Sequence, residues 1–186
     1  MSYASSMHDR MIACLLIPCR VVAVDPGAAR VRVSDGAGWT SAWLRWHAQA
    51  AGKARHWRSP SLGEQGVLLS PSGEPAQGTF IPGLYGNAGN PPDNREHVEV
   101  WRFDDGGSLT YDWQANSYSV DLPRGTITLK VGATTLVATP ESIELTATNM
   151  TLNGQVRVNG ALQVSGDILG GGAIIDTAGN TANHKH

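Results

Sequence analysis

The chain has 186 residues and a net charge of −2, a size that allows one domain or one small domain with an extension. The small net charge argues against a protein whose whole surface binds nucleic acid. Two cysteines, Cys14 and Cys19, are too few for a disulfide framework and lie in an apolar run, so we expect buried thiols and folding in a reducing cytoplasm. Low charge (16%), 22 glycines and many β-branched residues favour an all-β protein over a helical one.

The N-terminal residues 1–16 are polar and then mixed, and we expect them to form a loose or docking arm. The apolar run at residues 11–19 resembles the core of a signal peptide, but no small-x-small cleavage site follows it. We therefore interpret this run as a buried first strand. No stretch of the sequence reaches the ~20 apolar residues of a membrane helix.

Short strand patterns follow between residue 17 and residue 86. They are separated by turn signals rich in Gly, Pro, Asp and Ser, and they cover residues 19–24, 29–33, 38–46, 64–70 and 77–84. One long connection, residues 47–63, interrupts them. Short strands in this arrangement predict a small barrel such as the OB fold over residues 17–86.

The composition changes after a linker rich in glycine and proline, residues 87–97. From residue 98 onward, turns of Gly, Asn and Asp separate strands in which apolar and polar residues alternate, as at Ile127, Leu129 and Val131. Each such strand offers one apolar face and one polar face. This part of the chain is therefore predicted to be strand-rich and half-buried.

A six-residue repeat follows residue 150. Gly154, Gly160, Gly166 and Gly172 recur at this spacing, and valine, leucine and isoleucine occupy the short strands between them. A unit of this length cannot bury its own apolar face, so the units must stack on neighbours. Because a single chain of strands of about four residues has too little core to stand alone, we predict that several chains wind together as a β-helical stem over residues 98–175.

One alternative function comes from residues 43–58, where Trp43, Trp46 and Trp57 lie among basic residues and no acidic residue occurs. On an OB-like barrel, such a surface could stack bases and bind phosphates, as in a single-stranded nucleic-acid-binding protein. Some of these tryptophans must be core in so small a barrel. The basic segment could also dock on an acidic hub or a neighbouring subunit, and we expect no nucleic-acid partner.

An enzyme is the second alternative. Hexads also mark left-handed β-helix acyltransferases, but about four hexads are too few for one coenzyme-binding prism. The acidic pair Asp104 and Asp105 precedes two glycines, so we interpret it as a hairpin turn and not as an acid–base pair. No Gly-x-Ser-x-Gly elbow, phosphate-binding loop or His-Glu-x-x-His motif occurs, and we expect no catalytic residues and no enzymatic activity.

The barrel segments 66–70 (GVLLS) and 81–86 (IPGLYG), the hexads and the final residues 183–186 (NHKH) occur in a familiar order. Together they resemble the baseplate assembly protein V family of contractile-tail spikes, including the spikes of R-type pyocins. The resemblance covers nearly the whole chain. It implies an all-β homotrimer, in which an N-terminal OB-fold barrel is followed by an intertwined trimeric β-helix ending in a pointed tip.

The resemblance also implies a function and a set of partners. The barrel would dock to the baseplate hub at the end of the tail tube, and the assembly would pierce the outer membrane of a target bacterium when the sheath contracts. The protein would fold in the bacterial cytoplasm and leave the cell within a phage tail or tail-like particle. The choice among phage, bacteriocin and other contractile injector stays open, as does the target cell.

The end of the chain, residues 176–186, is the predicted metal-binding tip. His184 and His186 are two positions apart, so both point to one side of an extended chain. In the family that this chain resembles, a terminal His-x-His from each of three chains binds one iron ion, and six imidazoles are enough for an octahedral site. The choice of iron rests on the resemblance alone. Residues 176–180 are interpreted as a turn, and further ions in the stem are left open.

Overall fold

The structure, a computed structural model, describes residues 3–172 of the chain. Its contacts divide the chain into two compact units, Met1–Pro123 and Arg124–His186. No helix in the described part of the chain is both long and apolar enough to cross a bilayer. One helix precedes a series of strands: α1 (Tyr3–Ala13), β1 (Leu16–Asp25), β2 (Arg30–Ser34), β3 (Arg45–Trp46), β4 (Gln65–Leu69), β5 (Thr79–Leu84), β6 (Val98–Arg102), β7 (Ser108–Asp112), β8 (Ser117–Asp121), β9 (Ile127–Val131), β10 (Thr134–Ala138) and β11 (Ile143–Thr146).

The first five strands form a nearly closed barrel, as the strand pattern predicts. They make one sheet in the order β2-β1-β4-β5-β3, in which β3 runs parallel to β5 and the other neighbours are antiparallel. Val31 of β2 and Leu44, which directly precedes β3, exchange two backbone hydrogen bonds of 2.9 and 2.8 Å. These bonds join the two outer strands of the sheet, and the fold class predicted for this part of the chain is confirmed.

The barrel is held by a small apolar core to which all of its long strands contribute. Alternate residues of each strand point inward, as in any half-buried strand. The buried apolar residues are Cys19, Val21, Val31, Val33, Leu44, Leu68 and Phe80. Burial raises the pKa of the Cys19 thiol to about 11, so this cysteine is a protonated core residue near neutral pH, as its apolar setting predicts. Cys14, also expected to be buried, is only partly so, because it follows the surface helix α1.

Gly66 in β4 allows β4 and β5 to pack closely around the ring of Phe80, which lies in this core. The register between β4 and β5 shifts beside it, and a Cβ atom there would overlap the Phe80 ring and the Ile81 carbonyl oxygen. Phe80 is fully buried and cannot move away without opening the core. The position therefore requires glycine for steric reasons.

Substitution of Gly66 by alanine is expected to lower the free energy of unfolding by about 1–3 kcal/mol, the usual cost of overpacking a tight core. Denaturant titration at a fixed protein concentration measures the change, because the stability of an oligomer depends on concentration. Gly52→Ala is the matched control, since no atom lies within 4 Å of a Cβ built at Gly52. Equal losses in both variants would contradict the role of the Phe80 contact.

The predicted N-terminal arm contains a helix. The apolar run at residues 11–19, predicted to be a buried strand, is instead divided between the end of α1 and the start of β1, and of its residues only Cys19 is buried. α1 packs on the short 3₁₀ helix Pro71–Gly73, and the backbone of Met11 lies so close to Gly73 that no Cβ would fit there. Directly after the helix, the carbonyl oxygen of Leu15 accepts a 2.9 Å hydrogen bond from the backbone of Ser70. No residue of α1 is buried, so the helix lies on the surface of the barrel.

The second sheet of the first unit is a meander in the order β6-β7-β8. The turn between β6 and β7 contains Asp104 and Asp105, and it is closed by a 2.8 Å hydrogen bond from the Phe103 amide to the Gly107 carbonyl oxygen. Asp105 accepts a 2.9 Å hydrogen bond from the Gly107 amide. The interpretation of this acidic pair as a hairpin turn is confirmed.

The second unit contains the antiparallel sheet β11-β10-β9, followed by a segment without regular secondary structure up to residue 172. Strands at residues 127–131 and 143–146 agree with the predicted alternation. Residues 147–172, which carry most of the hexads, form no strand in the described chain. The predicted domain limits at residues 86 and 98 stay predictions, since the contacts divide the chain at Pro123.

Candidate subunit interface

One face of the β9–β11 sheet is almost entirely aliphatic. Residues opposite each other in an antiparallel pair share a face, and Leu136 in the central strand lies opposite Leu129 on one side and Leu145 on the other. The same register places Ala138 between Ile127 and Ile143. We call this surface the aliphatic face; it consists of Ile127, Leu129, Val131, Leu136, Ala138, Ile143 and Leu145.

The opposite face of the same sheet is mostly polar. One row across the strands contains Thr128, Val137 and Glu144, and the next contains Lys130, Thr135 and Thr146. A sheet with one apolar and one polar face buries the apolar one against another layer. In the single chain this layer is missing, because no described residue from position 124 to position 172 is buried.

Exposure of this size indicates an interface. Val131 is 82% and Ile143 is 74% exposed in the single chain. Soluble monomers rarely leave a continuous apolar surface of several such residues in water. Because a three-stranded sheet without a second layer has no core of its own, the aliphatic face needs a further layer to cover it.

The hexad segment shows the same property. Val156, Val158, Leu162 and Val164 are all exposed, in a segment that forms no strand. Extended chains become stable strands only when a neighbour supplies backbone hydrogen bonds. The hexads were predicted to require stacking on neighbours, and within the described single chain they have none.

The predicted metal ligands His184 and His186 lie outside the described residues, as does the predicted turn at residues 176–180. Between residues 3 and 172 there is no group of three or more His, Cys, Asp or Glu side chains suited to hold a metal ion. The metal site therefore stays a prediction, and its only named ligands are the two terminal histidines.

The basic and aromatic segment at residues 43–58 is partly structural. Trp46 packs against the barrel core, and its ring lies 5.4 Å from that of Trp57. Arg58 forms an ion pair with Glu64. The expectation that some of these tryptophans belong to the core is confirmed, and this leaves fewer aromatic rings and free cations for stacking and binding nucleic acid.

A charged cluster connects the end of the predicted linker to the β7–β8 turn, and sequence reasoning missed it. Arg95 lies 2.7 Å from Asp93 and 3.2 Å from Asp112 through its guanidinium nitrogens. The other carboxylate oxygen of Asp112 accepts hydrogen bonds of 3.0 and 2.9 Å from the amides of Gln114 and Ala115. The spacing of Asp93 and Arg95 was visible in the sequence, but their partner is 17 residues away from Arg95.

This cluster predicts sensitivity to acid. The Ala115 amide, and then the charges of His97 and Arg95, hold the pKa of Asp112 below its usual range. A lowered pKa in the folded state stabilises the fold above the unfolded value of ~3.9, and this contribution is lost as pH falls below it. Asp112→Ala should therefore lower Tm at pH 7 and reduce the further loss of Tm between about pH 4 and pH 2.

Thermal unfolding at several pH values, followed by circular dichroism, checks this prediction. Asp104→Ala is the matched control, because Asp104 lies on the exposed β6–β7 turn. Parallel Tm curves for the Asp112→Ala variant and the unmodified protein across this pH range would show that the cluster does not contribute.

Comparison with known proteins supports both parts of this arrangement. Residues 17–85 match the family described as the type VI secretion system/phage-baseplate injector OB domain. Residues 99–170 match the family described as the Gp138 β-helical trimerization domain. The matched segment contains the aliphatic face and most of the hexads. The chain is also 28% identical to the spike protein of Escherichia phage P2 over 179 residues, which cover 89% of this chain and 84% of that protein. The chain therefore combines a phage-baseplate injector OB domain at residues 17–85 with a β-helical trimerization domain at residues 99–170.

Proposed function

We propose that this protein is the homotrimeric central spike of a contractile phage tail or phage-tail-like particle. The observation that carries the proposal is the aliphatic face, a surface without a core of its own that follows an injector OB domain in the same chain. The similarity to the phage P2 spike protein over most of both chains supports the same role. The resemblance to R-type pyocin spikes stays a prediction within this proposal.

The role that fits this arrangement is mechanical. Three aliphatic faces that meet around one axis form a continuous dry core, and such close-packed interiors have low compressibility. A stem of this kind can transmit an axial force from the baseplate to a narrow end. The OB domain docks to the baseplate hub at the end of the tail tube, sheath contraction supplies the energy, and the tip pierces the outer membrane of the target cell.

The proposal includes one metal ion at the tip. His184 and His186 of three chains supply six imidazole nitrogens, a donor set that suits an octahedral transition-metal site. A bound ion would hold three chain ends together and add its binding free energy to folding. Iron is the metal that the family resemblance implies.

The location of the chain in a particle tests the proposed function. Particles induced from the producing cells and treated with an antibody against the OB domain should carry label at the distal end of the tail in electron micrographs. Intact particles without label, together with protein found only free in solution, would refute the spike role.

A further inference from the structure

The outer surface of the barrel carries apolar side chains in register across three strands. Val67 of β4 lies opposite Pro18 of β1 on one side and Ile81 of β5 on the other. The next row in the same register is also mainly apolar. Both rows alternate along their strands with the buried core residues, so their side chains point away from the core. We call this surface the barrel face; it consists of Leu16, Pro18, Val67, Leu69, Thr79 and Ile81.

Two arginines lie at the margins of the barrel face. Arg20 occupies the next outward position of β1, and Arg45 of β3 lies beside Thr79 of β5. Both arginines are exposed, and neither is paired in register with an acidic residue. Within residues 3–172, neither guanidinium lies within ion-pair distance of a carboxylate. An apolar centre with charged groups at its rim is the usual composition of a protein–protein interface.

The apolar centre of the barrel face is open in the single chain. Leu16 is 60% and Ile81 is 40% exposed. Single exposed apolar residues are normal on a protein surface, but here they are cross-strand neighbours at a spacing of roughly 5 Å and form one continuous patch. Continuous patches of this kind on soluble proteins are typically interaction sites.

The charge of the barrel indicates what covers this face. Residues 17–85 contain seven Lys and Arg and four Asp and Glu, a net charge of +3, although the whole chain has a net charge of −2. A second barrel carries the same positive charge and would repel the first, which favours a different, acidic partner. The apolar centre favours a protein over a nucleic acid, because contacts to phosphates neutralise charge and do not cover aliphatic side chains.

From this composition we propose that the barrel face is the surface through which the OB domain docks in the particle. Its partner is a protein surface with an apolar centre and with carboxylates at its rim, where they pair with Arg20 and Arg45. The proposal rests on the proposed docking of the OB domain to the baseplate hub, and it names the docking surface and the chemistry of the partner. Charged pairs at a rim mainly determine the rate and the orientation of association.

Charge reversal at the rim tests the docking surface. In producing cells that carry Arg20→Glu with Arg45→Glu in place of the unmodified chain, the fraction of this chain that sediments with particles should fall about 10-fold, because like charges across an interface repel. The matched control is Lys53→Glu with Arg55→Glu, which makes the same change at two exposed positions of the barrel domain outside the barrel face. The control should sediment with particles as the unmodified chain does.

The outcomes separate this inference from the proposed function. If the unmodified chain and both double variants sediment equally with particles, the barrel face is not the docking surface and the spike role remains. If the unmodified chain never sediments with particles, the proposed function fails as well. Both purified variants should keep the mass and the circular dichroism spectrum of the unmodified protein, since all four substituted residues are exposed.

A cross-linking experiment identifies the partner independently. Arg45→Lys places a primary amine at the rim, and a carbodiimide joins an amine to a carboxylate that it contacts. In intact particles, mass spectrometry should find position 45 joined to an Asp or Glu of a different particle protein, and the free purified protein should lack this link. A link to another copy of this chain would overturn the inference. Binding of labelled oligo(dT) that Arg20→Glu with Arg45→Glu abolishes, with sedimentation of that variant unchanged, would assign the arginines to nucleic acid and overturn it too.

Discussion

Replacement of Leu136 by aspartate is expected to convert the trimer into monomers. Leu136 is the central residue of the aliphatic face, with Leu129 and Leu145 as its neighbours across the sheet. In a trimer the substitution places three carboxylates in one dry core, and each buried unpaired charge costs several kcal/mol. A total of about 4 kcal/mol already shifts the equilibrium toward monomers ~1000-fold.

Light scattering after size-exclusion chromatography measures the effect, with circular dichroism as a check that the β-structure remains. The matched control is Thr135→Asp, which adds the same charge one residue away on the polar face, in register with Lys130. The control should remain trimeric. A trimer of normal mass in the Leu136→Asp variant would show that the aliphatic face is not the subunit interface.

The barrel could be predicted from the sequence because its signals are local. Alternating apolar residues and turn residues define β1, β2, β4 and β5, and four of the predicted strand segments overlap them closely. The segment at residues 38–46 was predicted as sheet throughout, but only Arg45–Trp46 is a strand. Before it, the Ser41 amide donates a 2.8 Å hydrogen bond to the Val33 carbonyl oxygen, but the Val33 amide donates to the Ser41 hydroxyl at 2.9 Å, so a side chain replaces one acceptor of the backbone ladder.

The helix of the N-terminal arm depends on a contact that is distant in sequence. α1 buries none of its residues, so it has no apolar face that packs into a core. It is positioned by the turn at Pro71–Gly73, about 60 residues later. The salt bridge between Arg95 and Asp112 escaped prediction because the two residues are 17 positions apart and are brought together only by the pairing of β6 with β7.

For the predicted stem, sequence-based prediction is limited in a different way. The hexads and the alternating strands predicted that more than one chain is required, because no unit can bury its apolar side chains alone. Periodicity alone could not identify the aliphatic face, since a face is defined by the pairing of strands and a shift of one residue would reverse it. The structure provides this register for β6–β8 and β9–β11.

Loss of both terminal histidines is expected to remove the metal completely. In the proposed site, His184 and His186 are the only protein ligands, and three chains share one ion. Purified protein without an affinity tag should therefore contain about one third of an iron atom per chain, and the His184→Ala, His186→Ala double variant should contain none. Inductively coupled plasma mass spectrometry measures both values.

Lys185→Ala is the matched control for this experiment, because it changes the residue between the two histidines and keeps both imidazoles. The control should retain its metal, and the double variant should keep its trimer mass, since the aliphatic face does not include the tip. If metal persists in the double variant, residues other than His184 and His186 must bind it. Metal-free unmodified protein of trimer mass would refute the tip site and leave the spike role in place, because that role rests on the OB domain and the aliphatic face and not on the ion.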